Sequence, residues 1–320
     1  MDRVGQIFRF LHRWGLLISL VVLTTCFAIV RPVMLSGINL VHILITAAPV
    51  GMMSLGMTLV VIAGEFDLSA GALAAFAAIM VAELVTMGHV PFPLALIFTM
   101  FVVILFEGLV GLLRVRLKVP VILTTLLAFF LFVLLDPLLS RGIPVIVLSS
   151  GNVSAGVASG VVMVAIFLLG SLLTRHTQYG RQLSLVGATR SKRINGDGMK
   201  IVVMVISGLL AVAAGMGAVF YEGTTMPNQA WNWSMSALAA LSISGNGLRR
   251  GKGDVLNTLI GVLFLTVFQN GLTLLSADLS IYYQLCYLLI FIMSLLALFF
   301  FWLDRRARKA QSKSEAHLTT

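Results

Sequence analysis

Ten apolar runs, most of them close to the length of helix that crosses a lipid bilayer, follow one another along this chain. They lie near residues 14–30, 38–63, 68–87, 91–113, 119–139, 157–173, 201–221, 234–246, 254–275 and 281–303, the eighth being short. A hydrocarbon core about 30 Å thick takes roughly 20 residues of helix, and in lipid only elements that satisfy their own backbone can cross. The runs therefore predict an all-α integral membrane protein of about ten transmembrane helices. Composition excludes a soluble domain on a single anchor: 59% of the 320 residues are hydrophobic and 11% charged, and no long polar stretch interrupts the pattern.

A net charge of +10 would suggest nucleic acid in a soluble protein, but in a membrane protein it reports which loops face the cytoplasm. With the N-terminus inside, the inner segments carry 20 of the 22 Lys and Arg, leaving only Arg31 and Arg141 outside. Ten spans and two cytoplasmic termini follow, and a span gained or lost would put several basic loops on the wrong side. The chain reads as one transmembrane domain over 1–320, with a cytoplasmic loop at 174–200 and a cytoplasmic tail at 304–320. Arg3, Arg9 and Arg13 ahead of the first run resemble a secretory signal, but Thr25-Cys26-Phe27 is a poor cleavage site, so the run is expected to be retained. Cys26 and Cys286 fall inside apolar runs, which leaves neither a disulfide framework nor a paired-cysteine metal site.

The polar residues contain no catalytic pattern of a soluble enzyme. The five His are scattered, and Asn246-Gly247-Leu248-Arg249-Arg250-Gly251-Lys252-Gly253 has Asn where a phosphate loop begins with Gly, and Gly where its magnesium-binding hydroxyl belongs. Neither an enzyme activity nor ATP binding is expected of this chain, and no metal site is expected either.

The richest polar segment in the apolar part is Ala63-Gly64-Glu65-Phe66-Asp67-Leu68-Ser69-Ala70-Gly71, between the second and third runs. Carboxylates at this depth must be hydrated or hydrogen-bonded. Two readings stand: Asp67 or Ser69 caps the third helix, or the segment is a break in a helix that lines a translocation path. A weak echo joins residues 60–76 to residues 241–264, where an apolar helix also enters a glycine-containing polar turn. Glu83 and Asp136 fall near outer ends and are expected to be wet. Glu107 is deeper, and Arg114 on the same face is expected to draw it toward inner water. Gly208, Gly215 and Gly217 are expected to permit close helix packing. The loop from Arg175 to Lys200 alternates basic residues with glycines around Leu183, Leu185 and Val186, which fits a solvated loop or a short helix that docks a cytosolic partner.

These motifs together resemble the membrane permeases of ribose-type bacterial ABC sugar importers, a group that includes autoinducer-2 permeases. Gly64-Glu65-Phe66-Asp67-Leu68-Ser69-Ala70-Gly71 is similar to that family's GGIDLSVG signature. Leu117-Lys118-Val119-Pro120 with Thr125-Leu126, Gly142-Ile143-Pro144, Thr177-Gln178-Tyr179-Gly180-Arg181 with Val186-Gly187, Ser207-Gly208-Leu209-Leu210, and Asn270-Gly271-Leu272 follow in family order. The resemblance implies a permease that works by alternating access as a dimer or beside a homologous permease, with ABC ATPase subunits that bind ATP and Mg and a periplasmic solute-binding protein. It implies no cofactor in this chain and a place in the bacterial inner membrane. Taken with the polar break, it puts Glu65, Asp67, Ser69, Gly71 and Asn270 on the translocation path or its gate. Gly180, Arg181, Gly187, Arg190, Lys192 and Arg193 fall in the loop that couples to the ATPase. The chain departs from the pattern at Glu65, where the signature has Gly, at Val133-Leu134, Lys192-Arg193, Ser244-Gly245 and Arg250-Gly251, and at Ser234 and Ser236, which replace acids. The expected solute is a sugar or sugar-like molecule. Nucleosides or branched-chain amino acids are the alternative within the same architecture, and an ion-coupled transporter using Glu65, Asp67 and Glu107 is the alternative outside it.

Overall fold

A computed structural model describes residues 3–147, 152–189, 196–246, 251 and 253–296. In chain order the helices are α1 (Arg3–Val30), α2 (Gly37–Ile62), α3 (Ala70–Thr86), α4 (Phe92–Leu117), α5 (Val121–Leu139), α6 (Val153–His176), α7 (Gln178–Thr189), α8 (Gly196–Glu222), α9 (Gln229–Ile243) and α10 (Val255–Leu274). A further apolar helix, α11, covers Ser280–Leu296. Two short strands, β1 (Val145–Ile146) and β2 (Thr224–Thr225), pair antiparallel with Val145 opposite Thr225.

Among the described residues helix occupies each of the ten expected runs, with shifted limits: α6 and α8 begin earlier, α9 covers Gln229–Ile243 rather than 234–246, and 297–303 of the last run lie outside the described residues. Six of the described helices, α2, α4, α5, α6, α8 and α10, are long and apolar enough to cross a bilayer by themselves. Residues 14–30, α3 and α11 are apolar but shorter.

Burial sorts the helices into two layers. The most apolar windows of α2, α8 and α10 are 78%, 61% and 56% buried within the protomer, whereas those of α4, α5 and α6 are each 28% buried. The first group therefore forms the interior, and the second turns its Leu, Ile and Phe side chains outward. Helix α3 lies at the centre, against α8, α9, α5 and α4. Its Ala-rich run, buried from Ala70 to Ile79, explains this position. Without a hydrophobic force between helices in lipid, association rests on close backbone approach, which small side chains allow. The approach is closest at Gly71, where even a Cβ would collide with the backbone of Ser234 in α9. Aromatic side chains fill the space on the other side of α3. Phe132 of α5 packs at a tilt against Phe76 of α3 at 4.8 Å and edge-to-face against Phe106 of α4 at 4.7 Å between ring centroids.

Two helix ends set the geometry of the polar segments. Helix α2 stops in a Schellman motif: Gly64 turns left-handed at φ 79°, its N–H donates to Val61 O, and the N–H of Glu65 donates to Val60 O. Helix α9 stops at Gly245 in the same left-handed region, φ 74°, with its N–H on Ser242 O. The echo between residues 60–76 and 241–264 thus has a backbone counterpart.

Candidate functional site

Between the end of α2 and the start of α3 the backbone is non-helical, and Asp67 organises it. One carboxylate oxygen of Asp67 accepts from the Ser69 N–H at 2.8 Å and from the Ser69 hydroxyl at 2.6 Å. The other accepts from the Ser207 hydroxyl of α8 at 2.9 Å. Asp67 is 2% exposed, so all of its polar contacts are made inside the protein. The capping reading is not what forms. Ser69 is the residue at the cap position of α3 but makes no side-chain cap bond, and Asp67 takes the N–H of Ser69 rather than one from the first turn of α3. Asp67 instead straps the break to α8.

Glu65 points a different way. Its Oε2 pairs with Arg114 Nη2 of α4 at 2.7 Å and its Oε1 with Lys200 Nζ of α8 at 2.8 Å. Lys200 lies near the start of α8, and Ser207 is about two turns, or roughly 10 Å, further along it. The break therefore runs along α8 from an ionic end to a buried hydroxyl. Arg114 also touches Met204 Sδ.

The other acids depart from expectation. Arg114 is engaged by Glu65 and does not draw Glu107 to water; Glu107 is 1% exposed, packed beside Gly208 and Val103, and neither carboxylate oxygen has a hydrogen-bond partner among the described residues. Asp136, expected to be wet, is fully buried, also with both oxygens unpartnered among the described residues. The cause is helical phase. Asp136 continues the face of Phe129 and Phe132, which packs into the core, so closeness to a helix end does not bring it to solvent. Glu83 is half-buried in the last turns of α3.

Helix α7 approaches the same break. Thr177 Oγ1 accepts from the Gly180 N–H at 3.1 Å at the start of α7, and Gly180 sits so close to the Leu173 and Thr174 carbonyls of α6 that a Cβ would collide with them. Leu183 and Val186 face inward and are buried, while Arg181, Gln182 and Leu185 face outward. The patch expected from Leu183, Leu185 and Val186 thus splits according to helical spacing. At its far end Gly187 lies between two loops. A Cβ there would meet the Ile62 carbonyl, the Gly251 Cα at 2.6 Å and the Gly64 N at 2.8 Å. Gly64 and Gly251 both have positive φ. Only glycine allows three backbones to meet at this spacing. Arg190, Lys192 and Arg193 lie outside the described residues, as do 247–250 and 252 of the segment between α9 and α10.

What is described of that second segment is closed by Asn246. Its amide donates to the Asp254 carbonyl at 2.9 Å and to Thr258 Oγ1 at 2.6 Å, and its oxygen accepts from the Asp254 N–H at 2.8 Å. Thr258 in turn meets Thr58 of α2 at 2.7 Å, and Asp254 pairs with Arg175 of α6.

Asn270 is not part of this cluster. It exchanges two hydrogen bonds with Asn39 at the start of α2, of 2.9 and 3.0 Å. Asn39 and the break lie at opposite ends of α2, about 35 Å apart along its axis. The structure therefore brings Glu65, Asp67, Ser69, Gly71 and Gly187 to one region and leaves Asn270 at the other end. Sequence reasoning did not single out Ser207, Lys200, Asn39 and Gly251 as contact residues, since their partners lie far away in the chain.

A family profile described as "Branched-chain amino acid transport system / permease component" matches residues 39–298. The ribose import permease protein RbsC of Haemophilus influenzae is 28% identical, over 88% of this chain and 90% of that protein. RbsC of Escherichia coli K12 is 30% identical, over 84% of this chain and 88% of that protein. RbsC of Bacillus subtilis is 27% identical, over 86% and 88% respectively. No solved structure gives a significant match.

Proposed function

The chain belongs to the permease family described for branched-chain amino acid transport systems, and from that premise we propose that it is the transmembrane permease subunit of an ATP-driven importer for a sugar or sugar-like solute. The observation that carries the reading is the break between α2 and α3, where Asp67 is held two turns inside the ionic end of α8 and Gly187 of α7 abuts the backbone of Gly64. A non-helical segment buried in protein between two membrane helices lets backbone and side chains rearrange around a solute. In this reading α7 is the cytoplasmic element that meets an ABC ATPase subunit, with Arg181 outward and Gly187 against the break. Gly180, Arg190, Lys192 and Arg193 belong to the same coupling segment. Glu65, Asp67, Ser69 and Gly71 form the inner gate. ATP and Mg are bound by the ATPase, a second permease completes the pathway, and a periplasmic binding protein delivers the solute at the bacterial inner membrane.

Support for a sugar comes from these relatives, whose names specify ribose. The family's description favours a second reading, a branched-chain amino acid. Purification in mild detergent with the ATPase attached, followed by ATP-dependent uptake into vesicles of ribose and of leucine, separates the two. ATP-independent uptake, or no associated ATPase, would overturn the proposal.

The ten-span arrangement with cytoplasmic termini is part of the same proposal. Single cysteines at Arg181 and at Asn152, after removal of Cys26 and Cys286, should react with an impermeant reagent from opposite sides. Labelling of both from outside intact cells contradicts it.

A further inference from the structure

Three contacts tie the break to the α7–α8 region in sequence order. Gly64 meets Gly187, Glu65 pairs with Lys200, and Asp67 accepts from Ser207. Glu65 is the ionic member of this series and adds a third helix through Arg114 of α4. Its side chain is 15% exposed, and those of Arg114 and Lys200 are 8% and 26% exposed, so the triad is largely shielded and its charges interact more strongly than on an open surface. One carboxylate serves two cations. Removing it deletes two ion pairs and leaves two positive groups, from α4 and α8, facing each other.

We propose that Glu65 is a positioning residue that latches the inner end of the break, holding Asp67 on Ser207 until displacement of α7 moves the adjoining Gly64 and opens the ion pairs. The proposal rests on the reading of the chain as an ATP-driven permease. In the proposed order a shift passed from Gly187 to Gly64 strains the ion pairs before it reaches Asp67, because Glu65 lies between the two in the chain. A latch of this kind couples hydrolysis to gating by making the closed state the resting one, and its loss shifts that equilibrium whether or not solute is present.

The test uses the complete importer, with its ATPase and binding protein, in vesicles. It compares ATP hydrolysis without solute, uptake per ATP, and complex abundance. Glu65→Gln is expected to raise solute-independent hydrolysis about fivefold or more and to lower uptake per ATP, at unchanged abundance. Glu65→Asp, which keeps the charge, is expected to restore most of the coupling. Because removing Lys200 also removes part of the repulsion, Glu65→Gln with Lys200→Gln should be no worse than Glu65→Gln alone. If Glu65→Gln fails to assemble, Lys200→Gln, which opens one arm only, carries the same comparison. Wild-type coupling in an assembled Glu65→Gln complex, or additive defects in the double variant, would overturn the latch. Absence of ATP-driven uptake in the wild-type complex would instead overturn the permease reading, and the latch with it.

Discussion

The carboxylate of Asp67 and the hydroxyl of Ser207, 140 residues apart in the chain, meet at 2.9 Å inside the helix bundle. The bond joins the non-helical segment between α2 and α3 to the apolar middle of α8. Both groups are buried, so each is the other's substitute for water, and losing one leaves the other with an unmet demand.

Ser207→Ala should therefore perturb the break without touching its sequence. It leaves one Asp67 oxygen without its partner, a penalty of about 1–3 kcal/mol. It is expected to lower uptake more than it lowers surface abundance. Ser207→Thr keeps the hydroxyl and should retain most uptake. Equal loss in the two variants would show that packing against Gly56, rather than the bond to Asp67, is what matters.

At Gly187 the prediction is steric. Gly187→Ala adds a Cβ that would lie 2.6 Å from the Gly251 Cα, closer than Cβ atoms can pack, so α7 must back away from both loops. Solute-stimulated ATP hydrolysis and uptake are expected to fall about tenfold or more, and Gly187→Trp should abolish both. Gln182→Ala, on the outward face of α7, tests whether any change in this helix has the same effect. Normal coupling in Gly187→Ala refutes the assignment.

The helices were legible in the sequence because membrane thickness and hydropathy act on whole segments, and an error of a few residues at each end does not hide a run of twenty. Side-chain pairing was not legible, because it depends on which helix faces which. Glu65 and Asp67 stood out as acids in an apolar region, but Lys200 and Ser207 gave no local sign that they would meet them. Asp136 shows a subtler failure. Its place near a helix end suggested water, whereas its helical phase with Phe129 and Phe132 takes it into the core. For α7 the sequence grouped Leu183, Leu185 and Val186 as one apolar patch, and helical spacing divides it, burying Leu183 and Val186 and exposing Leu185.

The amide pair of Asn39 and Asn270 is expected to be structural. Interhelical hydrogen bonds in membranes contribute about 0.6–2 kcal/mol, and this pair forms two of them. Asn39→Ala and Asn270→Ala should each lower thermal stability in detergent, and the double variant should lose less than the sum. Uptake per molecule should stay near wild type in all three. If Asn270→Ala abolishes uptake while Asn39→Ala transports normally, Asn270 contacts the solute instead.

Glu107 separates ATP-driven from ion-coupled transport. Its carboxyl group is buried beside Gly208 with no hydrogen-bond partner among the described residues, an arrangement that destabilises by about 1–3 kcal/mol relative to an apolar side chain of similar shape. Glu107→Met keeps the length of the side chain and removes the unmet polar demand, so the melting temperature in detergent should rise by about 2 °C or more. If transport is driven by ATP on another subunit, neither Glu107→Met nor Glu107→Gln should reduce uptake by more than about threefold, a barrier change of less than about 1 kcal/mol. If the chain instead couples solute to a proton or cation through Glu107, both variants would lose concentrative uptake while remaining abundant and well folded. Uptake and melting temperature measured on the same preparations distinguish the two outcomes, because only an ion-coupled carrier would gain stability and lose transport together.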